Sequence, residues 1–423
     1  MTTVVVVPAM VADASEAFWY RARVRPSGIW LPILCIPLAA ACRLGFDHNA
    51  AQDSGSEMPP DAPPPTLLSC GSPPAFSIQI AAGSANAAKQ INGFAAVATS
   101  DGYYAFVLDL ANVVHGFAYK FAGNQLVPRT ENAVVRSDPT QAISVADTGD
   151  GLLLAARYQQ PSDGTALVPL TADLKPRGTP YLSASWYTID HALARSSDGT
   201  IALGGHPTDT QAVIERVSSL GVPGGSPHEA IAPSETPSTM VIVPAGQRFL
   251  VAWQVNGEVA GIRARVLDTA FQETVATTTL NPDQKGNNPA VAYAPSVDHY
   301  LFSWFFKEAN GANDDLWINL RNGSLQELSR AQLSRTGVDP RVAAGTDKFL
   351  VVWRDDAIAS GLSAVTASSS DATVFTPRPV LSHTGSVLGW DVVSRAGQPA
   401  LAWLESTDTQ GTATLRFDAL CDD

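Results

Sequence analysis

Seven short apolar segments of one kind recur along this chain at an almost constant interval, and no other feature restricts its fold as far. They are "YAFVL" ending at Leu108, "LLLAA" at Ala156, "IALGG" at Gly205, "FLVAW" at Trp253, "YLFSW" at Trp304, "FLVVW" at Trp353 and "PALAW" at Trp403. Successive ends lie 48, 49, 48, 51, 49 and 50 residues apart. A period kept that closely over most of 423 residues is the mark of a repeat architecture, each unit being one supersecondary element.

Each unit holds four apolar segments. In the fifth they are "PAVAYA" (289–294), "YLFSWFF" (300–306), "LWINLR" (316–321) and "LSRAQLS" (328–334). Polar turns such as "TSDG", "DTGDG", "SSDG" and "AGTD" join the first two segments of a unit, which is hairpin chemistry. Short runs rich in Val, Phe, Tyr and Trp between such turns read as strands. The 30 prolines and 32 glycines, against four methionines, leave little room for long helices.

In "FLVVW" one face carries Phe349, Val351 and Trp353, and the other carries Leu350 and Val352. A strand apolar on both faces must be covered on both. Four-stranded sheets leaning on like neighbours provide that cover, and about 50 residues make one propeller blade. The 354 residues from Cys70 onward hold seven such units. The expected fold is all-β: a seven-bladed β-propeller of four-stranded blades over residues 70–423. A β-sandwich or two stacked domains is the competing arrangement, since these also alternate short strands and turns.

The last unit has three strand segments, "LGWDVVS" (388–394), "PALAWLE" (399–405) and "TATLRFDAL" (412–420), one short of a blade. A surplus segment, "AFSIQI" (75–80), precedes the first unit. If that N-terminal strand completes the last blade, the ring is closed by both ends of the repeat region. Antiparallel pairing then brings Cys70 beside Cys421, and a disulfide between them is expected.

Residues 21–42, "RARVRPSGIWLPILCIPLAAAC", place three arginines before an apolar run from Ile29 to Leu38, then three alanines and Cys42. The run is too short to span a bilayer, which takes roughly 20 residues. The order of regions is that of a secretory signal, and it resembles a bacterial lipoprotein signal, in which the cysteine is lipidated. The resemblance implies that residues 1–41 are a signal peptide and that Cys42 carries the lipid. Arg43 after it implies sorting to the outer membrane; an ordinary peptidase accepting Ala39-Ala40-Ala41 would instead yield a secreted or periplasmic protein. Residues 42–69 then include a Pro-rich tether, "DHNAAQDSGSEMPPDAPPPT". The repeats resemble secreted bacterial propeller-type repeats of the form P-x-V-A…F-L-V-V-W-x-D, with "PRVAAGTDKFLVVWRD" (340–355) closest to the pattern. That resemblance implies an architecture and no activity.

Catalytic motifs are scarce. There is no G-x-S-x-G elbow, H-E-x-x-H helix, phosphate-binding glycine loop or G-x-G-x-x-G. None of the seven histidines has a second ligand at zinc spacing. In "KEANGANDD" (307–315), Asn310, Asn313, Asp314 and Asp315 offer oxygens to calcium but lack the alternation of an EF-hand loop, so no cofactor is expected. The net charge of −13 argues against sequence-independent nucleic-acid binding. The recurrent Trp253, Trp304, Trp353 and Trp403 read as core between blades.

The expected role is a monomeric, lipid-anchored, non-catalytic binding or scaffolding module of the cell envelope, its partner a protein or a glycan and its only membrane contact the lipid. Its expected binding face is the end of the ring carrying the second-to-third-strand loops, with Glu308, Asn313, Asp315, Arg354, Asp355 and Asp356. The alternative is a carbohydrate-active hydrolase or lyase on the same fold. A hydrolase requires two facing carboxylates.

Overall fold

Apolar strands joined by tight polar turns build seven antiparallel sheets in a ring, a seven-bladed β-propeller, in the computed structural model of this chain. The structure describes residues 69–71, 75–79, 91–122, 125–136, 140–158, 164–183, 191–208, 211–229, 237–255, 261–282, 286–307, 314–355, 361–371, 378–379, 386–406 and 412–420. Among the described residues there are 29 strands and no helix. The signal segment, Cys42 and the Pro-rich tether lie outside them.

In chain order the innermost strands are Gly93–Ala98, Thr140–Asp147, His191–Arg195, Pro237–Ala245, Asn287–Ala294, Gly337–Ala344 and Ser386–Arg395. Each packs against the innermost strands of both adjacent blades, the seventh against the first included. The fifth blade consists of Asn287–Ala294, His299–Lys307, Asp314–Asn322 and Glu327–Ser334, which contain the four segments read from its sequence.

The two-sided strands are covered as their composition demands. Phe349, Val351 and Trp353 pack toward the fifth blade with Leu301, Leu316 and Ile318. Leu350 and Val352 pack toward the seventh with Val387, Trp390 and Leu401. Among the described residues there are seven apolar clusters, and each draws on two consecutive blades. Trp253, Trp304 and Trp353 are at most 1% exposed, each in the cluster shared with the preceding blade. Glycine makes room for them: a Cβ on Gly337 would lie 2.7 Å from Cδ1 of Trp353, and one on Gly286 3.0 Å from Cδ1 of Trp304.

Ring closure follows the expected route. Phe76–Gln79 pairs antiparallel with the final strand, Phe76 opposite Leu415 and Gln79 opposite Thr412. Ser69 lies opposite Leu420 and Gly71 opposite Ala419, so the backbone at Cys70 runs beside the end of that strand. Cys421 and the Cys70 side chain lie outside the described residues. Phe76 is 4% exposed and crosses the seam, its ring 4.6 Å from Tyr119 and 5.7 Å from Phe117 of the first blade. Phe76→Ala is expected to cost about 3–5 kcal/mol in denaturant unfolding, because it removes a buried aromatic from the closing joint. A loss under about 1 kcal/mol would mean the strand does not hold the ring shut.

One buried acid stands out. Glu215, on the third strand of the third blade, is 3% exposed, and its Oε2 has no hydrogen-bond partner among the described residues. Burial pushes its carboxyl up to about 7. The folded state thus holds a proton that the unfolded chain releases near pH 4.5, so this group takes stability away as pH rises from about 4.5 to about 7. Glu215→Gln should therefore raise the melting temperature relative to the parent at pH 8 and leave it nearly unchanged at pH 4.5, as read by calorimetry.

Candidate functional site: the central channel

Strand pairing defines one ring of equivalent positions around the channel. Each recurrent segment lies within a second strand, and the residue before the segment's end pairs with one position on the innermost strand. Those positions are Phe94, Ser144, Ala192, Val241, Ala290, Arg341 and Asp391. All seven line a single cavity of about 500 Å³ to which every blade contributes. Five are small or apolar. The two charged residues, Arg341 and Asp391, are neighbours on blades six and seven.

The lining comes from the middle of most innermost strands, with Arg341 fifth of eight and Asp391 sixth of ten, and reaches strand starts at His191 and Asn288. Those starts face the end where blades connect and where second strands pass into third strands. Bulges sit near the start of five innermost strands, at Thr140–Ile143, Pro237–Met240, Asn287–Ala290, Val338–Arg341 and Val387–Gly389. In two of them an Asn or Asp adopts left-handed backbone, Asn288 with φ 45° and Asp339 with φ 51°, a conformation these side chains tolerate better than most. A proline, which has no N–H to leave unpaired, follows each.

The bulges bring polar groups together at the mouth. Asn288 Nδ2 donates to Asp339 Oδ1 at 2.8 Å, and Arg354 Nη2 lies 3.4 Å from Asp339 Oδ2. The guanidiniums of Arg341 and Arg354 are each 6.0 Å from the Trp390 ring centroid. Arg341 Nη1 donates to the Pro340 carbonyl at 2.9 Å, and its Nε is 4.0 Å from Asp391 Oδ1. Asp391 accepts from the backbone N–H of Ala96 at 2.9 Å and of Val392 at 2.9 Å. Burial raises the Asp391 carboxyl above its ordinary value, against the lowering influence of Arg341 and these N–H groups.

His191 lies deeper in the wall, 8% exposed, with Nδ1 3.2 Å from Ser144 Oγ and Nε2 without a partner among the described residues. Burial, and secondarily the Arg157 charge, lowers its imidazole to about 4. The folded state keeps this ring neutral while the unfolded chain protonates it near pH 6.5, so it withdraws stability as pH falls from about 6.5 to about 4. His191→Gln is expected to flatten that acid-side decline in thermal melts; an unchanged decline would contradict the neutral, buried ring.

Of the face expected from the sequence, Arg354 joins the mouth cluster. Asp355 is used locally, accepting from Thr336 Oγ1 at 2.7 Å and Ser363 Oγ at 3.4 Å. Asp315 accepts from Gln332 Nε2 at 2.7 Å within its own blade. Glu308, Asn313 and Asp356 lie outside the described residues, as does Asn310 of the calcium reading. Among the described residues no group of three or more His, Cys, Asp or Glu is arranged to hold a metal ion. Arg341, Asp391, Asn288 and Asp339 escaped the sequence reading. Their signal was available: aligning the units on the innermost strand sets Arg341 and Asp391 in a column of Phe, Ser, Ala and Val.

No family model matches the sequence, and no curated protein is similar to it. Solved structures match it over most of its length. One is described as the Dos1 propeller, with 9% identity, a TM-score of 0.47, and coverage of 82% of this chain and 94% of that one. Another is the polysaccharide lyase Uly1, with 10% identity, a TM-score of 0.53, and coverage of 81% of this chain and 92% of that one. At such identity the likeness to the lyase is one of fold alone.

Proposed function

We propose that this chain is a non-catalytic recognition module that takes a protein or glycan partner at the connector end of the ring, over the channel mouth. In this proposal the propeller is held at the cell envelope by a lipid on Cys42, with residues 42–69 as its tether and a Cys70–Cys421 disulfide across the closing strands. A rigid ring with freely varying loops suits recognition.

One observation carries the choice of binding over hydrolysis. Asp391 is the single carboxylate lining the cavity among the described residues, and both its oxygens already accept backbone N–H groups. Glycoside hydrolysis takes two carboxyls facing each other across the scissile bond. The fold likeness to a polysaccharide lyase keeps elimination chemistry as the competing activity.

Two measurements test this. On glycan and peptide arrays, and in solution with a set of acidic polysaccharides, the full chain should retain a ligand and leave it chemically unchanged. The appearance of unsaturated or shortened saccharide products would overturn the non-catalytic role. Mass spectrometry of the mature protein with and without reductant should show a lipid on Cys42 and a reducible link between Cys70 and Cys421; an unmodified N-terminal residue other than Cys42 would refute the anchor.

A further inference from the structure

Resting on that binding role, we infer that the channel recognises a small carboxylate, with Arg341 as the residue that receives it.

The cavity has the size of a small-ligand site, about 500 Å³. Ile143, Val145, Leu193, Ile242, Val291 and Val342 lie along its lining, but their side chains belong to the apolar clusters between blades, and the surface left facing the cavity is more polar than apolar. Phe94 is the one Phe, Tyr or Trp side chain lining it among the described residues. Sugar recognition ordinarily uses an aromatic stacking face, and this wall offers little of one.

The polar end of the ligand is decided by comparing the two charges in the ring. Asp391 is the less accessible, its side chain 24% exposed and both oxygens engaged by backbone amides. It stitches blade seven to blade one through Ala96. Arg341 is 42% exposed at the mouth and donates to a single carbonyl, its nearest carboxylate standing off at 4.0 Å. Its remaining N–H groups have no partner among the described residues. Its guanidinium carbon lies 6.0 Å from the Trp390 ring centroid. A guanidinium fork matches the two oxygens of a carboxylate. Asn288, also on the lining, supplies a neutral polar group beside it.

That chemistry has two sources, the C-terminus of a peptide and a free short-chain carboxylic acid. Isothermal titration of the full chain with N-acetyl-leucyl-valine, its C-terminal amide, hexanoate and hexanamide separates them. At least one acid should bind about tenfold or more tighter than its amide, since a hydrogen bond to a charged group is worth that much. Arg341→Gln should erase the preference and Arg341→Lys should keep part of it, with thermal melts verifying that both variants fold. Acid and amide binding equally, a preference surviving in Arg341→Gln, or no acid binding in the millimolar range would each overturn the inference. If instead a neutral glycan from the array binds unchanged to Arg341→Gln, the carboxylate fails while the binding role stands. Turnover of an array ligand removes the binding role itself.

Discussion

Every blade of this protein is apolar on both faces, and the architecture is the consequence. A single four-stranded sheet with Leu350 and Val352 on one side and Phe349, Val351 and Trp353 on the other cannot be stable in water alone. Stacking a second sheet covers one face and exposes another. Only when the seventh meets the first is no apolar face left over, which explains why the seven apolar clusters each belong to two blades and none to one. Tryptophans at one repeat position fill space between blades, and glycines such as Gly337 leave room for them.

The closing seam uses the same kinds of contact as the others, since side-chain hydrogen bonds also join blades four and five through Arg248 and Asp298 and blades five and six through Asn288 and Asp339. Besides its apolar cluster it uses groups that reach across nearly 300 residues of sequence. Asp391 accepts from the Ala96 amide, and Arg395 donates to the carbonyls of Thr99 and Ser100 while its guanidinium lies 3.9 Å from the Phe121 ring centroid. Phe76 brings an N-terminal strand into the same joint. Because Phe76–Gln79 belongs to the last blade, the chain itself passes from blade seven to blade one, and the break in continuity falls inside blade seven, where strand pairing with Thr412–Leu420 holds it.

Much of the fold was legible because the signals were periodic. The spacing of the Trp-ending strands, the hairpin turns and the surplus strand at residues 75–80 each translate directly into a structural element. The candidate site was less legible for a physical reason. Arg341 and Asp391 sit in ordinary strand stretches, "PRVAA" and "GWDVV", with no motif around them. They become conspicuous only once the innermost strands are placed side by side. The acidic loops around Asp315 and Asp355 drew attention through composition, yet both carboxylates serve local hydrogen bonds. Charge density along a sequence marks solvated loops more readily than it marks a channel.

Because blade faces are committed to the core, chemistry on this scaffold is confined to what projects from strand edges into the channel and to the loops at the two ends. That limits how a channel position can change. A lone Asp at position 391 would leave a carboxylate in a wall whose burial already raises it toward the neutral form. A lone Arg at position 341 would lose the nearby negative charge and keep only a carbonyl and the Trp390 ring. On adjacent blades the two offset each other at 4.0 Å, close enough to compensate and too far to form a tight hydrogen-bonded pair. A tight pair would be self-satisfied and inert. A loose one leaves a guanidinium with unused donors facing the channel, which is the arrangement that makes this side of the ring different from the other five blades.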